Sequence, residues 1–229
     1  MSYFITTPIY YVNDVPHIGH AYTTIACDIL TRFYKLKDQE TFFLTGTDEH
    51  GQKVEKAALL KEKESQSFVD EMSQNFRDLI PFLGCDIDDF IRTTDKRHKI
   101  AAQSLWNKLR DNDHIYLSNY EGWYSIRDEA FYQESELKKT DKGFVAPSGA
   151  PVDWVKEESY FFRLSKWENK LIEYYEKNPE SILPRSRYNE VLSFIKGGLK
   201  DLSISRTTFN WGVKVPDAEQ HVMYVWIDA

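Results

Sequence analysis

The stretch Pro8-Ile9-Tyr10-Tyr11-Val12-Asn13-Asp14-Val15-Pro16-His17-Ile18-Gly19-His20 decides how the chain is read. Tyr3-Phe4-Ile5 ahead of it is β-prone and apolar, and Pro8 ends regular ladder pairing. Asn13 and Asp14 supply turn and capping groups, and Pro16 suits an early helical position because its missing N–H would have no partner there. From Ile18 the apolar positions run Ile18, Tyr22, Ile25, Ile29, Phe33 and Leu36, the spacing of a helix stripe. Strand, turn and helix in that order open a doubly wound α/β fold, whose ligand lies beyond the carboxyl ends of the strands.

Two histidines three residues apart on a first helical turn share one face. Their ring N–H groups, with the positive end of the helix dipole, suit an anion such as a polyphosphate. Gly19 between His17 and His20 has no side chain, so a flat ring or sugar has room against the backbone. Neutral imidazoles donate hydrogen bonds to charge that grows on phosphoryl oxygens as pyrophosphate leaves. Taken alone, an H-x-G-H string is equally two helix-end histidines with no shared task. Its place directly after the first strand favours a nucleotide site.

Ile9-Tyr10-Tyr11-Val12-Asn13 followed by His17-Ile18-Gly19-His20 resembles the "HIGH" signature of class I aminoacyl-tRNA synthetases, and Thr6-Thr7-Pro8-Ile9-Tyr10-Tyr11-Val12-Asn13 resembles the methionyl family in particular. The resemblance implies a Rossmann-like doubly wound parallel sheet of the HUP type, with His17, His20, Gly19 and Pro8 at the ATP. Further strings resemble the same family. Gly46-Thr47-Asp48-Glu49-His50-Gly51 follows the β-branched, aromatic run Thr41 to Thr47, which reads as a second, buried parallel strand. At the match to Asp48 the family holds the amino acid's ammonium; a helix cap is the plainer alternative. Ile204-Ser205-Arg206, with Trp211-Gly212, resembles an "ISR…WG" segment whose arginine approaches the ATP phosphates, the alternative being a surface ion pair. Tyr224-Val225-Trp226-Ile227-Asp228-Ala229 resembles a "YVWxDA" strand whose tryptophan covers the methionine side chain. The apolar run Val222 to Ile227 reads as a central parallel strand. Ile9, Tyr11 and Trp226 are then expected to form a slot for a thioether, with Asp48 and Ala229 beside it.

Composition narrows the classes. The 229 residues are 41% apolar and 15% aromatic, enough for one or two cores without low-complexity sequence. No basic segment followed by an apolar run opens the chain, so neither secretion nor a membrane span is expected, and a reducing cytoplasm fits the two cysteines. A net charge of −7 argues against a surface that coats nucleic acid. Between Ser181 and Val215, however, six cations face two acids, a pattern open to a local phosphate contact or a solvated face.

Helices are expected over Gln52 to Lys63, Ser65 to Leu83 and from Thr94-Asp95 to about Arg110, with a weak strand at Asp88 to Arg92. From about Ile115 the chain turns aromatic and loses helical period, which reads as a small β-rich insertion. Gly149 to Ser165 resembles the connective insertion of methionyl-tRNA synthetases. In many relatives cysteine knuckles bind zinc there. None is present here, and Tyr124, Ser125, Asp128 and Glu129 do not replace four thiolates, so the likeness is to the metal-free bacterial subtype. Helices follow at Lys166 to Lys177, with Trp167, Leu171 and Tyr174 inward, and at Ser186 to Lys196. The expected domains are 1–114, the first half of the catalytic fold; 115–220, the insertion; and 221–229, the first strand of the second half.

The family's Lys-Met-Ser-Lys-Ser loop has no match, so the sequence reads as the N-terminal catalytic portion of a longer enzyme. The implied reaction is condensation of L-methionine with magnesium-bound ATP to methionyl-adenylate, then transfer to tRNA(Met). Another class I synthetase, an H-x-G-H nucleotidyltransferase and an inactive methionine-binding half-site are the alternatives. Branched-chain enzymes usually carry a larger editing insertion.

Overall fold

The computed structural model describes residues 2–128, 130–132, 134–140 and 143–229. β1 (Tyr3–Thr6) and the short β2 (Tyr10–Tyr11) lie end to end along β3 (Thr41–Asp48), and β4 (Asp89–Arg92) pairs with the other edge of β3. All these pairings are parallel. Between them run α1 (Ile18–Lys35), α2 (Gln52–Leu60) and α3 (Ser65–Phe82), and α4 (Lys96–Asp111) follows β4. This is the expected parallel α/β order. α2 stops at Leu60, short of the expected Lys63.

The first core lies under α3, whose Phe68, Val69, Met72, Phe76 and Ile80 pack against Val54 and Ala58 of α2, Tyr10, Val12 and Phe90. The 3.6-residue period of α3 thus faces the sheet as its spacing predicts.

α1 faces the other way from expectation. It is a helix, but its buried side chains are Thr24, Asp28 and Thr31, while Ile18 is 88% and Ile29 60% exposed. Polar bonds set this orientation: Asp28 accepts from Arg32 Nε at 2.6 Å and from the Asp86 amide at 3.0 Å, tying that face to the loop before β4. On the sheet itself Phe4 and Phe42 pair at 5.8 Å and are also exposed.

Beyond α4 the chain is antiparallel. β5 (Ile115–Ser125) pairs with β6 (Ala130–Tyr132) and with β9 (Asp153–Phe162); β7 (Lys138–Thr140) and β8 (Gly143–Val145) form a separate hairpin. This is the expected β-rich insertion. Glu129, weighed above as a metal ligand, lies outside the described residues. α5 (Glu168–Lys177) and α6 (Arg185–Lys196) pack together, the Tyr188 hydroxyl donating to the Tyr175 carbonyl; Tyr174, expected inward, is exposed.

β10 (Leu202–Ser203) joins β9, and β11 (Ser205–Arg206), β12 (Lys214–Val215) and β13 (Ala218–Met223) form a three-stranded antiparallel sheet. A second core of Ala102, Trp106, Ile115, Ile204, Val213 and Met223 ties α4 to this region. The tail corrects an expectation. Val222 to Ile227 is not a central parallel strand: β13 ends at Met223 in antiparallel pairing, and Val225–Asp228 coil into one helical turn, α7. An apolar run alone does not separate a buried strand from a short buried helix. No helix among the described residues is long and apolar enough to cross a membrane.

Candidate functional site

His17 is the N-cap of α1, so the cap lies after Pro16 rather than at Asn13 or Asp14; the Asp14 carboxylate instead accepts from the Val15 amide. His17 Nδ1 accepts from the Gly19 amide at 3.1 Å, and His20 Nδ1 accepts from the His17 amide at 3.0 Å. The pair forms a capping box built from imidazoles, with rings stacked 3.9 Å apart. Because both Nδ1 atoms accept, each neutral ring carries its proton on Nε2. Burial pushes His20 below its ordinary 6.5, and the neighbouring His17 adds to the shift. Nε2–H donors at a helix N-terminus are what this turn presents. The flat ring lying over Gly19 is that of His17 itself: a Cβ at Gly19 would stand 2.9 Å from His17 Cε1.

His20 packs edge-on to Tyr10 at 4.7 Å and to Phe76 at 5.1 Å. The Tyr10 hydroxyl lies 2.8 Å from Thr24 Oγ1, which fixes α1 against β2. Successive strand side chains point to opposite sides, so with Tyr10 turned to α1, Tyr11 is turned to the cavity beyond the strand ends. Tyr11 lines that cavity together with Asp48, His50, Tyr124, Tyr224 and Val225. It encloses about 70 Å³.

The loop that follows Asp48 is clamped by its neighbours. Glu49, fully buried, accepts from Arg92 Nε at 2.6 Å and Nη2 at 2.9 Å and from Thr47 Oγ1 at 2.6 Å. The Glu49 amide donates to Thr93 Oγ1, the Trp211 indole donates to the Glu49 carbonyl at 2.6 Å, and the Gly51 amide donates to the Trp211 carbonyl at 3.1 Å. The "WG" segment is thus the outer clamp of the loop after β3.

Several expected site residues fall elsewhere. Arg206 is only 3% exposed; its Nε lies 3.7 Å from Glu157, its Nη1 donates to Ser203 and Ser205, and its guanidinium lies 3.7 Å from the Tyr224 ring centre. Arg206 is thus held by its carboxylate and ring inside the fold and is not the surface ion pair of the alternative reading, nor does it border the cavity with Asp48. Trp226 is 60% exposed and does not line the cavity: Met223 at the end of β13, Tyr224 after it and Val225 at the start of α7 line it, and the turn of α7 puts Trp226 outside. Ile9 and Ala229 border a second cavity at the carboxyl ends of β1, β3 and β4, with Thr7, Thr45, Thr93 and His98. The expected slot of Ile9, Tyr11 and Trp226 is therefore not formed. Neither His17 nor His20 borders either cavity, and Pro8 is exposed. Tyr11 and Asp48 do come together.

The residues that sequence reasoning did not assign are His50, His98 and Asp228. Asp228, 3% exposed, accepts at Oδ2 from His50 Nδ1 at 2.7 Å; His98 Nε2 lies 3.2 Å from its Oδ1 and 2.6 Å from its carbonyl. Burial works to raise the Asp228 carboxyl, but His50 and His98 outweigh it and hold it below its ordinary 3.8. Burial would likewise lower His98, and Asp228, with a smaller contribution from Asp48, lifts it above 6.5. Among the described residues, no group of three or more His, Cys, Asp or Glu side chains is placed to hold a metal ion.

The family model of tRNA synthetases class I (M) matches residues 3–141 and 145–229. A methionine–tRNA ligase of Rickettsia typhi is 64% identical over the whole of this chain, which covers 44% of its length. The Mycobacterium tuberculosis methionyl-tRNA synthetase bound by methionyl-adenylate is 48% identical with a TM-score of 0.95, covering all of this chain and 45% of that one. The apo form of the Mycobacterium enzyme, 45% identical, gives 0.81 over 99% of this chain and 43% of that one. The chain thus spans less than half the length of the relatives it matches.

Proposed function

The chain belongs to the methionyl branch of the class I tRNA synthetases, and on that premise we propose that the whole protein is a methionine–tRNA ligase. It activates L-methionine with magnesium-bound ATP to methionyl-adenylate and passes the methionyl group to tRNA(Met). The single observation that carries this reading is the cavity where Tyr11 and Asp48 meet the Tyr224-Val225 tail, one strand residue away from the His17–His20 turn.

Asp48 accepts the substrate ammonium, and Tyr11 flanks the side chain. The methionine carboxylate attacks the α-phosphorus in line, and no protein nucleophile is needed. Positioning and electrostatics do the work. The Nε2–H groups of His17 and His20 donate to phosphoryl oxygens as pyrophosphate departs, and neutral rings suit this because they give a hydrogen bond without a proton transfer. A zinc-free insertion agrees with its aromatic packing, in which Trp123 lies 5.0 Å from Phe144 and 5.4 Å from Trp154. Cytoplasmic residence agrees with two free cysteines, Cys27 and Cys85.

The test is methionine-dependent ATP–pyrophosphate exchange by the whole protein. His17→Asn or His20→Asn is expected to slow exchange by orders of magnitude with little change in methionine affinity. Unchanged exchange in both variants would remove the histidines from the chemistry.

A further inference from the structure

Asp228 sits where three elements of distant sequence meet. His50 comes from the loop after β3, two residues beyond Asp48; His98 comes from the first turn of α4; and Asp228 ends α7, whose first residue Val225 lines the cavity. Its two carboxylate oxygens are divided between the two imidazoles, and the His98 ring also reaches the Asp228 carbonyl. A four-residue helical turn has almost no stability of its own. The amides of Ile227, Asp228 and Ala229 bond to the Tyr224 and Val225 carbonyls at the start of the same segment, so contacts from outside the turn have to hold it.

We propose that His98 and His50 are positioning residues for the methionine cavity: through Asp228 they lock α7, and with it Val225, against the loop that follows Asp48. His98 lies outside the cavity and acts only through Asp228, whereas His50 also borders the cavity, so its part in the lock is read from hydrogen exchange. A buried carboxylate keeps its charge only with such donors, and losing one leaves the other bond to carry the turn. The inference rests on the methionine reading of the cavity for its kinetic consequence, though the lock itself is a property of the chain.

The two imidazoles use different nitrogens, and that makes the test sharp. The amide nitrogen of Gln occupies roughly the place of Nε2, and that of Asn the place of Nδ1. His98 bonds through Nε2 and His50 through Nδ1. His98→Gln and His50→Asn are therefore expected to keep the lock, while His98→Asn and His50→Gln lose it. In the whole protein the latter pair should raise the KM for methionine at least tenfold, with kcat for exchange and the KM for ATP within about threefold of wild type. By hydrogen exchange on this chain, the amides of Ile227 and Asp228 should exchange at least tenfold faster in the latter pair only, with amides of α3 unchanged. A mutually opposite preference at the two positions supports the lock. The same preference at both, or Asn and Gln behaving alike, overturns it. If the wild type shows no methionine-dependent exchange, the functional reading falls, and the hydrogen-exchange pattern still decides the lock.

Discussion

Gly46 lies in the middle of β3 opposite Ile91 of β4, and a Cβ there would stand 2.0 Å from the Ile91 carbonyl oxygen. Backbone, unlike a side-chain tip, does not swing away. Gly46→Ala is expected to destabilise the chain by at least about 2 kcal/mol in chemical denaturation, the range of overpacked cores; a change below roughly 0.5 kcal/mol, the range of surface substitutions, would contradict the tight β3–β4 approach. Gly19 is different: its missing side chain makes room for the His17 ring, so Gly19→Ala should weaken exchange more than folding. Single residues whose partners are close in sequence were legible. His17, Gly19 and His20 interact within four positions, and their string announces it. Asp228 and His98 are separated by 130 positions, and no local pattern announces that meeting. Arg206 was legible as important but not as buried, because a motif carries residue type and not orientation.

α7 and the loop after β3 make the pH dependence an element-scale property. His98 is raised above 6.5 by Asp228, so its contribution is full below 6.5 and is lost as pH rises through the folded value. Asp228 is held below 3.8, so its contribution is full above 3.8 and is lost as pH falls through its folded value. The stability difference between wild type and Asp228→Asn is therefore expected to be greatest between these limits and to shrink on both sides. A difference that keeps growing above the His98 transition would contradict the pairing. His20 acts with the opposite sign, since its lowered value costs stability as pH drops below 6.5, and comparing against the Asp228 variant cancels it. At this scale α3 and β3 were readable from period and composition. α1 was readable as a helix but not for its facing: the stripe rule assumes the apolar side turns inward, and here Asp28 and Thr31 anchor the polar side instead. The tail misled because a short apolar run carries no period at all.

Across the whole molecule two apolar surfaces are exposed, one along α1 at Ile18, Tyr22, Ile29 and Phe33 and one on the sheet at Phe4 and Phe42. Soluble monomers rarely expose apolar surface of this kind unless it serves an interaction. In isolation the 229-residue chain should bind a hydrophobic dye and self-associate, and Ile29→Ser with Phe33→Ser should reduce both while shifting stability by roughly 0.5 kcal/mol or less per site. Light scattering that shows a monomer with no dye binding would contradict this. The fold class followed from the order of elements, and the site only in part, because cavities form between segments that sequence spacing does not relate. The measurement closest to the central claim is calorimetric titration of L-methionine into the whole protein, as wild type, Asp48→Asn and His20→Asn. The account predicts that Asp48→Asn weakens methionine at least tenfold and His20→Asn leaves it unchanged. Equal weakening by both, or by neither, would contradict a methionine cavity at Asp48 set apart from a phosphate end at His20.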